Sequence, residues 1–489
     1  MKSKIFVIFD DTNEISEVIR DVIGSRGFGE VIVKKKRLDA YFCDSLRSVF
    51  GDFEFLPISS FFEFGDLKEK FENCVENGRI LHFFSNFIIS DSETASLSLK
   101  KLLFIEKSYR ATFEGKTCSV LFKEPKSYAE FLNNVILEKS SLAAVSKIED
   151  FFEIPALTDI GSVRNFIQVV AGNFDARYFN SLKGDEYSIV KSSANKKKIK
   201  AEYTFYHLLP DDMKFWFVLP FNYREDEESA SYTMERLHTT DLAIKWVHGS
   251  VDEAEFEKIL DKYFYFFKCR HEKSVSKDVY QKIADDLYVS KVKNRLSELK
   301  ALAEFEKIAA LMKSSCGFKS IDEIFEKYLF LKTKIESENN YPSVSVIGHG
   351  DPCFANVMYN KSIELLKFID PKGALSEEEL WTNPYYDIAK LSHSVCGNYD
   401  FFNNALFDIA IGEDFRAELR IDFDNSAYKD IFRRKLEKSG FDYLSVRIYE
   451  ASLFISMLPL HIDNPHKVFG FILNAIHILE EIENELKRK

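Results

Sequence analysis

Ile347-Gly-His-Gly-Asp-Pro-Cys-Phe-Ala-Asn-Val-Met-Tyr359, followed by Phe368-Ile-Asp-Pro-Lys-Gly373, is the stretch from which the rest of the chain is read. Val344 to Ile347 is an apolar strand ending at Gly348-His349-Gly350. Asn356 to Asn360 reads as a second short strand, Asn360-Lys361-Ser362 as a turn, and Ile363 to Ile369 as the returning strand. Pairing across that turn carries Asp370 back to the loop that holds Asp351 and Asn356. Two carboxylates and a carboxamide facing one cavity suit Mg²⁺ with bound phosphates, and leave one carboxylate to orient an attacking hydroxyl. The plain alternative is a loop whose Asp and Asn only cap turns.

With 489 residues the chain is too long for one ordinary domain, and 46% hydrophobic residues are enough for sizeable cores. The 47 phenylalanines fit a base-composition bias better than a special aromatic role. A net charge of -12 argues against a general nucleic-acid or anionic-membrane binder. Lys196-Lys197-Lys198 with Lys200 reads as the solvated start of a helix. Seven scattered cysteines without a Cys-x-x-Cys argue against a disulfide framework or zinc site and point to a reducing cytoplasm. Cys353 reads as a small packing residue. No segment has the length and apolarity of a bilayer span, and Ile5 to Phe9 is too short for a signal-peptide core.

Residues 1 to about 150 alternate between strand and helix patterns. Ile5 to Phe9, Val31 to Val33, Phe53 to Leu56, Ile80 to Phe84 and Phe87 to Ile89 read as strands. Ile15, Val18, Ile19, Val22 and Ile23 recur at helical spacing, as do Leu67, Phe71, Cys74 and Val75. This predicts an α/β domain with a mainly parallel sheet, whose strand ends could carry Asp10 and Asp11, or Asp91 and Glu93. Gly24, Gly27 and Gly29 follow a helix rather than a strand, so no dinucleotide loop is signed. In outline this domain resembles nucleotide-sugar-handling folds, without the glycine- and arginine-rich opening of sugar-phosphate nucleotidyltransferases.

A polar stretch over 140–162 marks a boundary. Beyond it Phe166–Val170, Arg177–Leu182 and Tyr187–Lys191 read as three antiparallel strands, with a turn at Ala171-Gly172-Asn173-Phe174-Asp175. A helix follows. Its stripe Ile199, Tyr203, Tyr206 and Leu209 carries Glu202 at or near the buried edge, where a carboxylate needs a cation. Lys191, ending the preceding strand, is the candidate. Tyr232-Thr-Met-Glu-Arg-Leu237 is a strand running into the polar connector His238-Thr-Thr-Asp241, a place where a nucleotide base could dock. From about residue 252 the chain is mostly helical apart from the hairpin.

In this order the residues resemble the aminoglycoside phosphotransferase and choline kinase branch of the protein-kinase-like fold. The resemblance covers residues from about 160 to the end. It implies a bilobal domain, with a small antiparallel-sheet lobe over 160–245 and a large helical lobe over 246–489 carrying the catalytic hairpin 344–370. It implies ATP and Mg²⁺ as cofactors, and transfer to a hydroxyl of a small molecule. Asp351 would be catalytic, with Asn356 and Asp370 on the metal. Lys191, Glu202, Gly172, Met234, Glu235 and Leu237 would serve the nucleotide, and His349 and Asp387 would support the loop. The phosphate-covering turn has only Gly172, and Asp370 is followed by Pro-Lys-Gly rather than the family's usual aromatic or acidic continuation.

For the acceptor, Ser376-Glu-Glu-Glu-Leu380 with Trp381, Tyr385 and Tyr386 could receive a cationic amine, or could be an acidic helix start beside a core aromatic cluster. A sugar or amino alcohol of bacterial envelope or capsule biosynthesis is the expected acceptor. The alternatives are a bifunctional enzyme, in which Asp10, Asp11 and Asp91 converge on a second metal for nucleotidyl or glycosyl transfer, and a non-catalytic nucleotide-binding protein. Oligomeric state is left open by the sequence.

Overall fold

Ile5 to Phe9 is apolar at every position, so the strand it forms needs cover on both faces. The computed structural model describes residues 4–33, 35–74, 78–171, 180–185 and 187–488. Contacts divide the chain into two units, residues 1–174 with 248–250 and residues 175–247 with 251–489.

In the first unit β1 (Lys4–Asp10) lies inside a six-stranded sheet with β2 (Glu54–Ile58), β3 (Gly78–Phe84), β4 (Tyr109–Phe113), β5 (Lys116–Phe122) and β6 (Phe151–Glu153). The strand order is β2-β1-β3-β5-β4-β6. β1 runs parallel to both β2 and β3, and β4 parallel to β6, while β5 is antiparallel to its two neighbours. The sheet is therefore mostly parallel with an antiparallel hairpin set into it. Alternation of side chains along β1 sends Phe6 and Phe9 to opposite faces. Phe9 and Phe83 meet Phe42 of α1 (Leu38–Phe50), with ring centroids 5.2 and 5.1 Å away. Phe6 meets Phe71 of α2 (Glu63–Glu72) at 5.1 Å, and Phe71 meets Tyr128 of α3 (Pro125–Glu138) at 5.0 Å. Phenylalanines thus pack both faces of this sheet.

Phe166–Val170, expected as a strand, is the body of helix α4 (Val163–Ala171). Val163, Phe166, Ile167 and Val170 stand at i, i+3, i+4 and i+7, and that apolar stripe prevails over the β-propensity of a five-residue run. The contact division also keeps α4 with the first unit, later in the chain than the polar stretch at 140–162.

The second unit opens with β7 (Asn180–Gly184) and β8 (Ser188–Ser193), then α5 (Lys196–Leu208), β9 (Pro220–Glu225) and β10 (Ala230–Glu235). The sheet is antiparallel throughout, in the order β7-β8-β10-β9. Asn195 caps α5 by accepting the Lys198 N–H, and the lysine cluster does begin that helix. The rest is mainly helical. β11 (Val344–Ile347) pairs with Glu272–Ser274 on one side and Trp381–Thr382 on the other. β12 (Val357–Asn360) and β13 (Leu365–Phe368) form the hairpin. Helix α6 (Tyr443–Met457) is buried at every position, between α7 (Pro465–Arg488) and other helices. Its Arg447 carries the charge inside, pairing with Glu450 on the same helix and with Glu481 of α7 at 2.8 Å. Among the described residues, no helix is long and apolar enough to cross a membrane.

The polar connector is fastened to the hairpin. Thr239 Oγ1 donates to the Tyr359 carbonyl at 2.6 Å, and Asp241 bridges to Met358. Asp241 caps the helix Leu242–Val247 by accepting the Ile244 N–H at 3.0 Å. Burial pushes its carboxyl up to about 8, whereas an unfolded aspartate titrates near ~3.9. Between those two values the folded chain holds a proton that the unfolded chain has released, so stability falls as pH rises through that interval and levels off above it. Asp241→Asn keeps the capping oxygen and removes the titration. We expect the variant to match the parent at or below about pH 4 and to exceed it by a margin that grows as pH rises towards the folded pKa of about 8, as measured by urea unfolding across pH. A difference independent of pH would contradict the assignment.

Candidate active site

The hairpin brings the two ends of the quoted stretch together. Val357 pairs with Phe368, and the Ile369 N–H donates to the Asn356 carbonyl at 3.0 Å. Asn356, which accepts that bond, and Asp370, one residue beyond its donor, therefore sit side by side at the open end of the hairpin. The Asn356 amide donates to the Asp351 carbonyl at 2.8 Å, which turns its own oxygen away from that bond. Asp370 stands in the left-handed region at φ 53, with its side chain 40% exposed.

Lys191 joins this hairpin to the sheet. Its ammonium lies 2.7 Å from Glu202 Oε2 and 2.7 Å from Asp370 Oδ1, and its side chain is 3% exposed. The pair expected between Lys191 and Glu202 is present, with Asp370 as a third member. The Tyr232 hydroxyl donates to Glu202 Oε2 at 3.2 Å, and Lys198 lies 3.6 Å from Oε1. Burial works against the charge on Lys191, but Asp370 and Glu202 overcome it and hold the ammonium above its ordinary pKa. Burial likewise opposes the charge on Asp370, and Lys191 overcomes it, so that carboxyl titrates below its ordinary value. A carboxylate and a carboxamide oxygen at the open end of one hairpin, beside a charged lysine, are hard donors of the kind Mg²⁺ takes.

His349 is wholly buried and braces the loop. Its Nδ1 accepts the Asp351 N–H at 3.0 Å, and its Nε2 donates to the Ile369 carbonyl at 2.9 Å. One neutral imidazole thus ties the backbone of Asp351 to the residue before Asp370. Burial lowers its pKa, which favours that neutral form. The ring stacks on Phe217 at 5.8 Å, and the 216–218 segment pairs with Phe368. Asp387 accepts the N–H groups of His349 and Gly350 at 2.9 and 2.8 Å. Arg270, which the sequence reading did not find, faces the same carboxylate at 3.3 Å and donates to the Pro384 carbonyl at 3.1 Å. Gly350 has φ +86, and a Cβ there would lie 2.5 Å from Lys372 Cβ.

The Pro-Lys-Gly that follows Asp370 also has a structural use. Gly373, at φ +88, packs so closely on α5 that a Cβ would lie 2.8 Å from the Ala201 carbonyl carbon. Ala374 N–H then donates to the Ala201 carbonyl at 3.0 Å. Lys372 itself is exposed.

Met234 lines an apolar pocket with Phe217, Tyr232, Phe368 and Asp370. Glu235 is engaged at the end of β10, where its carboxylate accepts the Leu219 N–H at 3.1 Å. Leu237 follows, half-buried. Gly172 lies outside the described residues, as does most of its turn. Cys353 is buried, and burial pushes its thiol well up, against a reactive role.

Two of the alternatives raised by the sequence find no support in the side-chain positions. Of the two readings of Ser376-Glu-Glu-Glu-Leu380 with Trp381, Tyr385 and Tyr386, the positions match an acidic helix start beside core aromatics rather than a cation receptor. Glu377, Glu378 and Glu379 are exposed, Lys273 sits 4.1 Å over the Trp381 ring, and Tyr385 and Tyr386 are buried. In the first unit, the aspartates are each spent locally. Asp10 is buried against His82 at 3.0 Å, Asp11 accepts the Phe28 and Gly29 N–H groups, and Asp91 caps its own helix through the Glu93 N–H. Among the described residues there is no cluster of three or more His, Cys, Asp or Glu able to hold a metal.

No protein-family model and no curated protein matches the chain. Among solved structures it is similar to aminoglycoside phosphotransferase APH(4)-Ia in a ternary complex with ADP and hygromycin B, at 11% identity and a TM-score of 0.36, covering 66% of this chain and 98% of that one. It is also similar to choline kinase from Cryptosporidium parvum, at 10% identity and a TM-score of 0.30, covering 67% and 97%. Likenesses this low carry no weight by themselves, and the functional reading rests on the side-chain geometry.

Removing Arg270 leaves a buried carboxylate without a counter-charge. Arg270→Met is expected to destabilise the fold by about 3–5 kcal/mol. Urea unfolding measures this, and a loss of only a few tenths, typical of exposed ion pairs, would show that Arg270 is dispensable.

Proposed function

We propose that the chain is an ATP- and Mg²⁺-dependent phosphotransferase acting on a hydroxyl of a small molecule. The observation that carries this reading is Lys191, buried and 2.7 Å from both Glu202 and Asp370, with Asn356 bonded through its carbonyl to the residue before Asp370. A lysine fixed between two carboxylates is held where phosphate oxygens would replace one of them as partner.

In this reading Asn356 and Asp370 hold the Mg²⁺, which when bound draws charge from the phosphates. Lys191, steadied by Glu202, contacts the same phosphates. Asp351 accepts a hydrogen bond from the acceptor hydroxyl. The hydroxyl oxygen bonds to the γ-phosphorus as the bond to the β,γ-bridging oxygen breaks. ADP leaves, and the hydroxyl proton passes to Asp351. An aspartate with an ordinary pKa near ~3.9 is a weak base, so alignment is the larger part of its work. His349, Asp387 and Arg270 fix the loop and take no part in bond making. Met234, Glu235 and Leu237 are proposed for the nucleotide base. The finer expectation, a sugar or amino alcohol of the bacterial envelope or capsule, belongs to this proposal and is narrowed below. A non-catalytic nucleotide-binding protein would have no physical need for Asp351 beside an intact Lys191, Glu202, Asn356 and Asp370 set.

Asp351→Ala is expected to lower turnover by about 10²–10⁴-fold while leaving Mg·ATP binding largely intact. Asp370→Ala is expected to weaken Mg·ATP binding at least about tenfold, ~1.4 kcal/mol. ADP release under an acceptor screen and calorimetric nucleotide titration measure the two. Near-normal turnover in the first variant, or unchanged nucleotide affinity in the second, would remove the role assigned to that residue.

A further inference from the structure

The surroundings of Asp351 away from Lys191 are cationic. Lys390 lies 3.0 Å from Asp351 Oδ1, and its side chain is 12% exposed. It stands on the helix Tyr386–Val395, one turn beyond Tyr386, so the two share a face. The Tyr386 hydroxyl is bonded by a second ammonium, Lys291, at 2.9 Å. Lys291 makes no ion pair among the described residues. Burial alone would raise the Tyr386 pKa, yet Lys390 and Lys291 bring it below its usual value, which places both charges close to the phenol.

The other titratable groups nearby do not cancel these lysines. His393, on the same helix, is buried and held neutral by burial and by Lys390. Asp400 is buried, and burial pushes its carboxyl up to about 7. Asp351 therefore lies directly against one ammonium, Lys390, and the second, Lys291, meets the phenol on the same helix face as Lys390. A cationic acceptor would meet repulsion here, and Glu377, Glu378 and Glu379 point to solvent rather than inward to relieve it.

We propose that the acceptor carries an anionic group, a phosphate or a carboxylate, near the hydroxyl that is phosphorylated, and that Lys291 and Lys390 receive it. This rests on the phosphotransferase reading for the word acceptor, and it excludes amino alcohols and amino sugars. It separates this chain by charge from enzymes acting on choline or on aminoglycosides.

Equilibrium binding of four probes with one carbon framework tests it: glucose, glucuronate, glucose 6-phosphate and glucosamine, titrated into the full chain saturated with Mg·ADP. One or both anionic sugars are expected to bind at least about tenfold tighter than glucosamine, and the two together distinguish carboxylate from phosphate. That preference should disappear in Lys291→Met and in Lys390→Met, and persist in Lys291→Arg, which keeps the charge and controls for folding. Equal binding, a preference for glucosamine, no binding of any probe, or a preference that survives either methionine substitution would overturn the proposal. Binding of Mg·AMP-PNP is measured separately. Its absence would defeat the phosphotransferase reading, and the sugar titrations, repeated without nucleotide, would still report the charge preference.

Discussion

A buried ammonium with two carboxylates at 2.7 Å is the constraint around which the second unit is organised. Lys191 comes from a strand, Glu202 from the helix after it, and Asp370 from a hairpin far along the chain. None of the three could be buried alone without a large desolvation cost, and together they neutralise much of it. The sheet, α5 and the hairpin are thereby held to one geometry. Tyr232 and Lys198 add further partners to Glu202, so the carboxylate is fixed from several sides.

A second buried charge pair does the same for the loop. Arg270 faces Asp387, and Asp387 holds two successive backbone N–H groups of the His349–Gly350 turn. The uncharged His349 ring then ties Asp351 to Ile369. The position of Asp351 is thus set by groups that never need to touch a substrate. This is the arrangement alignment-based catalysis requires, because a displaced hydroxyl acceptor costs more than a weak base does.

Local pattern made some of this legible in the sequence. The hairpin could be read because its turn residues, short strands and acids lie within one stretch. Glu202 could be read because an apolar stripe marks which helix face is inward. Helix α4 was equally legible from Val163, Phe166, Ile167 and Val170, but the short apolar run Phe166–Val170 also satisfies a strand, and the shorter window was the wrong one. The β4–β5 hairpin has a turn signal at Glu114-Gly115, both at positive φ, that the strand reading passed over. Arg270, Lys390 and the His82 partner of Asp10 were out of reach, because their meaning lies in residues 117, 39 and 72 positions away. A lone Arg, Lys or His has no periodicity to betray its partner.

Gly373 has a consequence beyond packing. It presses the chain that leaves Asp370 against the backbone of α5 one residue before Glu202, and Ala374 bonds the same place. The helix bearing the glutamate and the segment bearing the aspartate are thereby welded into a single body. Any outward swing of that helix would have to break this contact or carry the aspartate with it. The lysine's two carboxylate partners are thus tied to each other through the backbone as well as through its ammonium.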